Sequence, residues 1–205
     1  MPMKTLRYTL LTDGSSDIAL QPIIEWIVAQ HRPDIGVIGE IARDLGKIGL
    51  SLKVRIPHAL KLFPCDILFI HRDAEAESMD FRIAEISDAI GEQKINWIPI
   101  IPVRMTEAWL LSDESAIRSA AENRSGRIAL NLPQKRVWEG LNDPKRILFD
   151  ALTVASEKSG RALSKFNPNR QRGLVAQRTT DFSSLRGLSS FDFFEAQLIA
   201  KLKDI

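Results

Sequence analysis

The chain is 205 residues long with a mass of 23.0 kDa, which corresponds to one domain or to one domain with a substantial extension, and excludes a large multidomain assembly. Hydrophobic residues make up 44% and charged residues 26% of the chain, so we expect a folded protein with a hydrophobic core. The single cysteine, Cys65, excludes an internal disulfide framework and a zinc site built from several cysteines.

The first residues predict neither secretion nor membrane insertion. Residues 1–17 alternate polar and apolar side chains, and Asp13 comes too early for the apolar core of a signal peptide. No apolar run approaches the roughly 20 residues that a membrane-spanning helix needs. Together with the single cysteine, this pattern predicts a protein of the reducing cytoplasm without a membrane partner.

The net charge of +2 is unevenly distributed along the chain. Residues 1–120 contain 13 Lys and Arg against 17 Asp and Glu, whereas residues 121–205 contain 15 Lys and Arg against 9 Asp and Glu. This asymmetry predicts carboxylate chemistry in the first part and attraction of anions by the second. A solvated basic surface without a ligand is the alternative.

The first half of the chain predicts alternating strands and helices. Residues 5–11 are β-prone and end at a turn, and apolar residues recur at helical spacing over residues 18–31. Residues 66–70 form an apolar run without alternation, which is typical of a central parallel strand covered on both faces. A helix over residues 79–92 and a strand over residues 96–103 follow, and the prolines of this strand indicate a sheet edge or a strand end.

The position of the second strand stays open at this point, because residues 35–38 and residues 50–56 are both β-like pieces among several glycines. A short helix is expected over residues 57–63. Alternating strands and helices predict an α/β fold, specifically a three-layer, Rossmann-like arrangement with a mostly parallel sheet.

The pattern changes after residue 112, where short helical segments are separated by Gly, Pro and Asn. We expect no strand there, and we expect helices over residues 114–122, 134–141, 144–157 and 191–202. Residues 166–186 are polar and basic and predict a long loop. The expected organisation is an α/β domain over residues 1–112 with a helical, basic extension over residues 113–205 packed on it, and the two parts can also form one continuous domain.

Carboxylates follow three of the predicted strands. Asp13 ends the first strand, Asp73 and Glu75 follow the buried strand, and Glu107 follows the strand over residues 96–103. Ligands of open parallel sheets bind outside the carboxyl ends of the strands, so these four acids can converge on one metal site. Mg²⁺ or Mn²⁺ suits such oxygen ligands together with water and a substrate phosphate. Each acid alone is also explained as a solvated turn residue or a helix cap.

Two short segments resemble the motifs of a TOPRIM (topoisomerase–primase) domain, which has an acid followed by Gly after the first strand and an Asp-x-Asp pair after a later strand. They are the first strand with Asp13-Gly14, and the run Ile-Leu-Phe-Ile-His-Arg-Asp73-Ala-Glu75. The segment Glu107-Ala-Trp-Leu-Leu, with a late Leu185-Arg186…Phe191…Phe193-Phe194 tail, is similar to the TOPRIM-like family called domain of unknown function 4276. The resemblance covers essentially the whole chain and is strongest over residues 6–17, 66–77 and 100–113.

The resemblance implies a four-stranded parallel sheet in which Asp13 acts in acid–base chemistry while Asp73 and Glu75 hold Mg²⁺. This chain departs from the TOPRIM pattern at two positions, because the first acid is normally Glu and the second pair is normally Asp-x-Asp. Glu107 is not required by the general pattern. We expect metal binding to survive these changes better than turnover, since a misplacement of roughly 1 Å can reduce a rate about 10²-fold.

The expected function is that of a Mg²⁺-dependent phosphoryl-transfer enzyme, specifically a TOPRIM-type nuclease acting on DNA or RNA. Its catalytic residues would be Asp13, Asp73 and Glu75, with Glu107 as a further metal ligand. The phosphate backbone would be held by five arginines: Arg72, Arg170, Arg172, Arg178 and Arg186.

Two alternatives remain. The first is a non-catalytic binding or regulatory subunit that keeps the acidic pocket and associates with a protein partner, for example in a defence system. The second is a receiver-like phosphoacceptor at Asp73, although the usual pair of acids after the first strand is absent because Asp17 falls inside the predicted helix start.

Overall fold

Four strands form one parallel sheet in the computed structural model, which describes residues 4–14, 18–46 and 48–205. The strands are β1 (Lys4–Leu11), β2 (Ile35–Ile41), β3 (Ile67–His71) and β4 (Asn96–Ile100). Their order in the sheet is β2-β1-β3-β4, and every pairing between neighbours is parallel. The predicted first, third and fourth strands are confirmed, and of the two candidates for the second strand the earlier one is correct.

The strand β3 is central, as its apolar sequence predicts. All five of its residues are buried, and it pairs with β1 on one side and β4 on the other. The strand β4 lies at the edge of the sheet, where Pro99, which lacks a backbone N–H donor, is tolerated. The interpretation of the prolines as an edge signal is therefore confirmed.

Helices cover both faces of the sheet, which gives a three-layer α/β fold of Rossmann-like type. Alternate residues of β3 enter two separate hydrophobic clusters, with Phe69 in one and Leu68 in the other. The helices α1 (Leu20–His31) and α9 (Ser189–Leu202) pack on the Phe69 face, whereas α2 (Leu52–Leu62) and α3 (Met79–Ile90) pack on the Leu68 face. Burial on both faces explains why the sequence of β3 shows no alternation.

The helix α2 corrects two local predictions. It begins at Leu52, so the β-like piece over residues 50–56 is helical and the helix predicted over residues 57–63 is too short. The physical reason is the spacing of Leu52, Ile56 and Ala59, which buries one face of this helix against the sheet.

The chain after residue 112 is helical and contains no strand, as predicted; all of these residues are described. The helix α4 (Glu107–Leu110) stands just before this half of the chain. Four helices within it precede α9: α5 (Glu114–Ala120), α6 (Pro144–Ser156), α7 (Gly160–Ser164) and α8 (Pro168–Arg178). Two 3₁₀ helices cover Lys135–Gly140 and Ser183–Leu185.

The long loop predicted over residues 166–186 is wrong, because this segment contains α8. Pro168 occupies the first turn, and the side chain of Asn167 accepts a hydrogen bond from Arg170 N at 3.3 Å, which caps the helix. The buried residues Val175 and Ala176 hold α8 against the rest of the protein. Few positions of α8 are apolar, so its sequence lacks the apolar spacing from which a helix is predicted.

The two halves of the chain share one hydrophobic core. Trp109 of α4 is 1% exposed, and its ring lies 5.5 Å from that of Phe191 and 6.4 Å from that of Phe194, both in α9. The Glu-Ala-Trp-Leu-Leu segment and the phenylalanine tail, which carry the family resemblance, therefore pack on each other. A domain boundary at residue 112 stays a prediction.

None of the helices in the described part of the chain is both long enough and apolar enough to span a membrane.

Candidate functional site

The carboxyl ends of β1 and β3 lie side by side and open into a cavity of about 300 Å³, called the cleft below. The strand β2 follows β1 in the chain and lies on one side of it, whereas β3 lies on the other side of β1. The cleft is therefore at the point where the strand order reverses. Ligands of open α/β sheets bind at this point. The lining of the cleft includes Asp13, His71, Arg72, Asp73, Glu75 and Arg82.

Asp13 lies two residues after the end of β1, and two arginines neutralise its charge. Arg55 Nη1 of α2 donates to its Oδ1 at 3.1 Å, and Arg72 Nη1 donates to its Oδ2. Arg55 is also fixed by the carbonyl of Thr12, which accepts from its Nη2 at 2.5 Å. Both carboxylate oxygens of Asp13 therefore already face a positive charge.

Arg72 connects this carboxylate to α3. Its Nη2 lies 2.9 Å from Glu85 Oε1, and Arg82 Nη1 lies 2.9 Å from Glu85 Oε2. Burial lowers the pKa of the Arg72 guanidinium, but the charges of Asp13 and Glu85 and their hydrogen bonds outweigh burial, so its pKa is raised above the ordinary value. A network of alternating charges thus lines one wall of the cleft.

Asp73 is oriented by the loop between β4 and α4. Its Oδ1 accepts a hydrogen bond from Thr106 N at 3.0 Å and lies 3.1 Å from His71 Nε2. The hydroxyl of Thr106 lies 3.0 Å from the same imidazole nitrogen. No described residue forms a hydrogen bond to Asp73 Oδ2, so this oxygen can accept a ligand while Oδ1 fixes the side chain.

Glu75 stands in a strained backbone conformation with φ of +56°, which non-glycine residues seldom adopt. Backbone hydrogen bonds of 3.0 Å from Ala74 N to Pro102 O and of 3.2 Å from Glu75 N to Arg104 O hold the loop in place. The Glu75 side chain is 66% exposed, and its carboxylate lies 3.9 Å from Arg82 Nη2. Such strain is concentrated at functional sites, where the surroundings enforce it.

Glu107, the predicted fourth ligand, is not among the residues that line the cleft. It is 6% exposed, and its Oε1 accepts a hydrogen bond from Arg172 Nη1 of α8. The alternative of an acid at a helix start is met in part, since Glu107 stands in the first turn of α4, although the side chain of Thr106 makes no capping hydrogen bond. The structure therefore brings together Asp13, Asp73 and Glu75 and places Glu107 in a separate ion pair.

The four C-terminal arginines that were predicted to hold a phosphate backbone have two different environments. Arg172 and Arg186 form internal ion pairs; Arg186 Nη2 lies 2.7 Å from Glu195 Oε1, and its guanidinium lies 5.1 Å from the centre of the Trp26 ring. Arg170 and Arg178 are exposed, and neither side chain forms a hydrogen bond or ion pair with a described residue. Only the latter two are available to a ligand without breaking a contact within the protein.

The donor set of the cleft suits a hard cation that also contacts a substrate. Within the described residues, no group of three or more His, Cys, Asp and Glu side chains is arranged to hold a metal ion. Asp73 Oδ2 and the exposed Glu75 carboxylate are nevertheless two candidate oxygen ligands in one cavity. Mg²⁺ is commonly held by one or two carboxylates, with water and a substrate phosphate completing the octahedron. These residues therefore fit a metal bound jointly with substrate better than a closed protein cage.

The sequence does not single out four residues that the structure places at this cleft: Arg55, Arg82, Glu85 and Thr106. The spacing of three between Arg82 and Glu85 on a predicted helix indicates a side-chain pair. Arg55 carries no comparable signal, because only the packing of α2 against the sheet brings it to Asp13.

No model of a known protein family matches the chain, and the chain has no match among the curated proteins or the solved structures. The interpretation of the cleft therefore depends on its geometry and on the short motifs described above.

Proposed function

We propose that the cleft is the active site of a Mg²⁺- or Mn²⁺-dependent phosphoryl-transfer enzyme, specifically a TOPRIM-type nuclease acting on nucleic acid. The observation that carries this proposal is the presence of Asp13, Asp73 and Glu75, together with Arg72 and Arg82, in one cavity at the point where the strand order reverses. Carboxylates hold the cation and guanidinium groups bind the phosphate, which are the two requirements of phosphoryl transfer.

Asp73 and Glu75 are the proposed metal ligands. The hydrogen bond from Thr106 N fixes Asp73 Oδ1, which leaves Oδ2 for the cation, and the strained loop presents Glu75 from the same side of the sheet. A bound Mg²⁺ supplies polarisation of the phosphoryl oxygen and lowers the pKa of bound water.

Asp13 is the proposed acid–base residue, and Arg72 occupies one of its carboxylate oxygens. A phosphodiester that binds the Arg72 guanidinium competes with the Asp13 carboxylate for the same donors. Binding of the phosphodiester would then release the Asp13 carboxylate oxygen that Arg72 occupies, and this oxygen can accept a proton. Substrate binding therefore prepares the base in the same step that positions the phosphate.

Two further cavities adjoin the cleft along the carboxyl edge of the sheet, which favours an extended substrate. One, of about 320 Å³, shares Asp13 and Gly14 with the cleft, and the other, of about 340 Å³, shares Arg72. A polymer can occupy all three, whereas a small metabolite needs only one. This arrangement supports a nucleic acid strand as the substrate.

The experiment is a cleavage assay with single- and double-stranded DNA and RNA in the presence of Mg²⁺ or Mn²⁺. We expect Asp73→Asn and Glu75→Gln each to reduce cleavage about 10²-fold or more, because a displaced metal removes the polarising charge. Glu77→Gln is the matched control, since Glu77 is exposed and lies just outside the cleft lining. Undiminished cleavage by Asp73→Asn would contradict the proposal.

The second candidate is a non-catalytic binding subunit, and the two ion pairs of Asp13 favour it. Both Asp13 oxygens are occupied by arginines, which suits a site that accepts a phosphate or a partner's acidic group without a metal. This alternative predicts nucleic acid or protein binding that persists in a chelator, together with no cleavage of any substrate. The same assay with EDTA separates the two functions.

A further inference from the structure

Another cavity, of about 430 Å³, lies among the C-terminal helices and shares no lining residue with the cleft. Its walls come from the segments that follow α5 and α6, from α7 and the residues after it, and from α8. The residues that matter for its chemistry are Glu122, Lys158, Lys165, Phe166, Arg170 and Gln171. We call it the helical-layer cavity.

The lining of the helical-layer cavity has a positive net charge. It contains three basic residues, Lys158, Lys165 and Arg170, against one acid, Glu122. The one acid in the lining, Glu122, is already paired with Lys158, whose Nζ lies 2.8 Å from its Oε2. Lys165 and Arg170 form no side-chain hydrogen bond or ion pair with any described residue. Two uncompensated positive charges therefore face this cavity and favour an anion.

The lining also contains an aromatic ring, that of Phe166, which lies beside the third cation of the cavity, Lys158. Phe166 is half-buried, packs against the main hydrophobic core, and lies with its ring centre 5.2 Å from Lys158 Nζ. A ring anchored in this way offers a platform for a planar group, and every nucleic acid base has a π-face that stacks on aromatic side chains. Gln171 adds an amide that can donate to and accept from the edge of a base.

We propose that the helical-layer cavity binds a nucleotide, with the phosphate on Lys165 and Arg170 and the base against Phe166. A simple inorganic anion would use the two cations but leave the aromatic wall without a role. A free mononucleotide and a residue of a single-stranded nucleic acid present the same chemistry to these groups. The site is separate from the metal-dependent activity proposed for the cleft and does not depend on it.

Binding is measured in EDTA, so that no metal ion takes part, with three probes: inorganic phosphate, adenosine monophosphate and a short fluorescent oligothymidylate. Wild type is expected to bind the oligonucleotide with a clear salt dependence. The double variant Lys165→Gln/Arg170→Gln is expected to weaken this binding and to reduce the slope of log K against log salt by about 0.7 for each phosphate that is no longer neutralised. Phe166→Leu is expected to weaken mononucleotide binding at least about fivefold while leaving phosphate binding unchanged.

Arg178→Gln is the matched control, because Arg178 is an exposed arginine on the same helix that does not line the cavity. Thermal melting of each variant verifies folding. Equal affinities for mononucleotide and oligonucleotide identify a free nucleotide as the ligand, whereas tighter oligonucleotide binding identifies a strand, and either supports the proposal. Absence of binding by wild type, equal effects of Arg170→Gln and Arg178→Gln, or unchanged mononucleotide binding by Phe166→Leu would overturn it.

Discussion

Glu107 and Arg172 form an ion pair between the start of α4 and α8, and only 8% and 14% of their side chains are exposed. The pair joins the segment that follows β4 to a helix 65 positions later in the chain. It explains why an acid stands at the start of the Glu-Ala-Trp-Leu-Leu segment without lining the cleft: its charge is compensated inside the protein.

Removal of the arginine from this pair should destabilise the fold strongly. Arg172→Met leaves the Glu107 charge buried without its partner, and breaking a buried ion pair in this way lowers the free energy of unfolding by about 3–5 kcal/mol. Urea denaturation measures the change. Arg178→Met, at the exposed last residue of the same helix, should change stability by no more than about 0.5 kcal/mol. Equal effects of the two substitutions would show that the ion pair does not stabilise α8.

Glu107→Gln tests whether this residue is a metal ligand, as the sequence predicts, or the partner of Arg172, as the geometry indicates. Gln preserves the size of the side chain and removes its charge. The geometry leads us to expect lower stability in urea with an unchanged response of the melting temperature to Mg²⁺. A clear loss of the metal response at unchanged apo stability would instead restore Glu107 as a ligand.

Gly39 is required where β2 passes the ring of Tyr8. A Cβ at this position would lie 2.1 Å from Tyr8 Cζ, and Tyr8 is 1% exposed and cannot move aside without disturbing the core. We expect Gly39→Ala to lower the free energy of unfolding by about 1–3 kcal/mol, as overpacking does. Gly49→Ala is the control, since nothing lies within 4 Å of its added Cβ. Chemical denaturation with equal midpoints for both variants would contradict the close approach of β2 to Tyr8.

Glu139 anchors the start of α9 and gives this anchoring a pH dependence. Its Oε1 accepts hydrogen bonds from Ser190 N at 2.9 Å and Ser190 Oγ at 2.8 Å, and its Oε2 accepts from Ser189 N at 3.1 Å. Burial raises the pKa of Glu139, but these bonds outweigh burial and hold its pKa below the ordinary value of 4.5. The ionised form is therefore the one that stabilises the fold.

Because its pKa is lower in the folded state, Glu139 stabilises the protein fully above about pH 4.5, and this contribution is lost as the pH falls through the lowered pKa. We expect Glu139→Gln to be less stable than wild type by about 0.5–2 kcal/mol at pH 7, the usual contribution of a helix N-terminal hydrogen bond. The difference should shrink in acid. Glu92→Gln, at an exposed acid without contacts among the described residues, should show no such trend. A difference that is constant from pH 7 to pH 3 would argue against a role of the ionised carboxylate.

The sequence predicts the sheet well because its strands have strong local patterns. The apolar run of β3 and the prolines of β4 are direct consequences of a central and an edge position. The helix α8 is missed because its stability comes from the Asn167 cap and from packing of Val175, not from an apolar stripe. Of the four acids predicted to converge, Asp13, Asp73 and Glu75 line one cleft and Glu107 does not; the three meet because parallel strands end at a common edge.

The ion pairs of the site could not be predicted from the sequence. Arg55 reaches Asp13 from α2, and Arg172 reaches Glu107 from α8; both depend on how helices pack on the sheet. The spacing of residues in the sequence does not indicate such contacts. For the same reason, two of the C-terminal arginines that were predicted to bind nucleic acid form ion pairs within the protein instead: Arg172 with Glu107, and Arg186 with Glu195.

The most direct measurement is the melting temperature of wild type and Asp73→Asn as Mg²⁺ is titrated from zero to millimolar concentrations. A cation that binds only the folded protein stabilises it by RT ln(1 + [L]/Kd), about 2.7 kcal/mol at a concentration 100 times Kd. Asn at position 73 keeps an acceptor for Thr106 N and removes the charge that the cation needs. We predict that wild type and the Glu77→Gln control show a saturable rise in melting temperature, and that Asp73→Asn loses most of it. Equal responses of wild type and Asp73→Asn would contradict a metal site in the cleft.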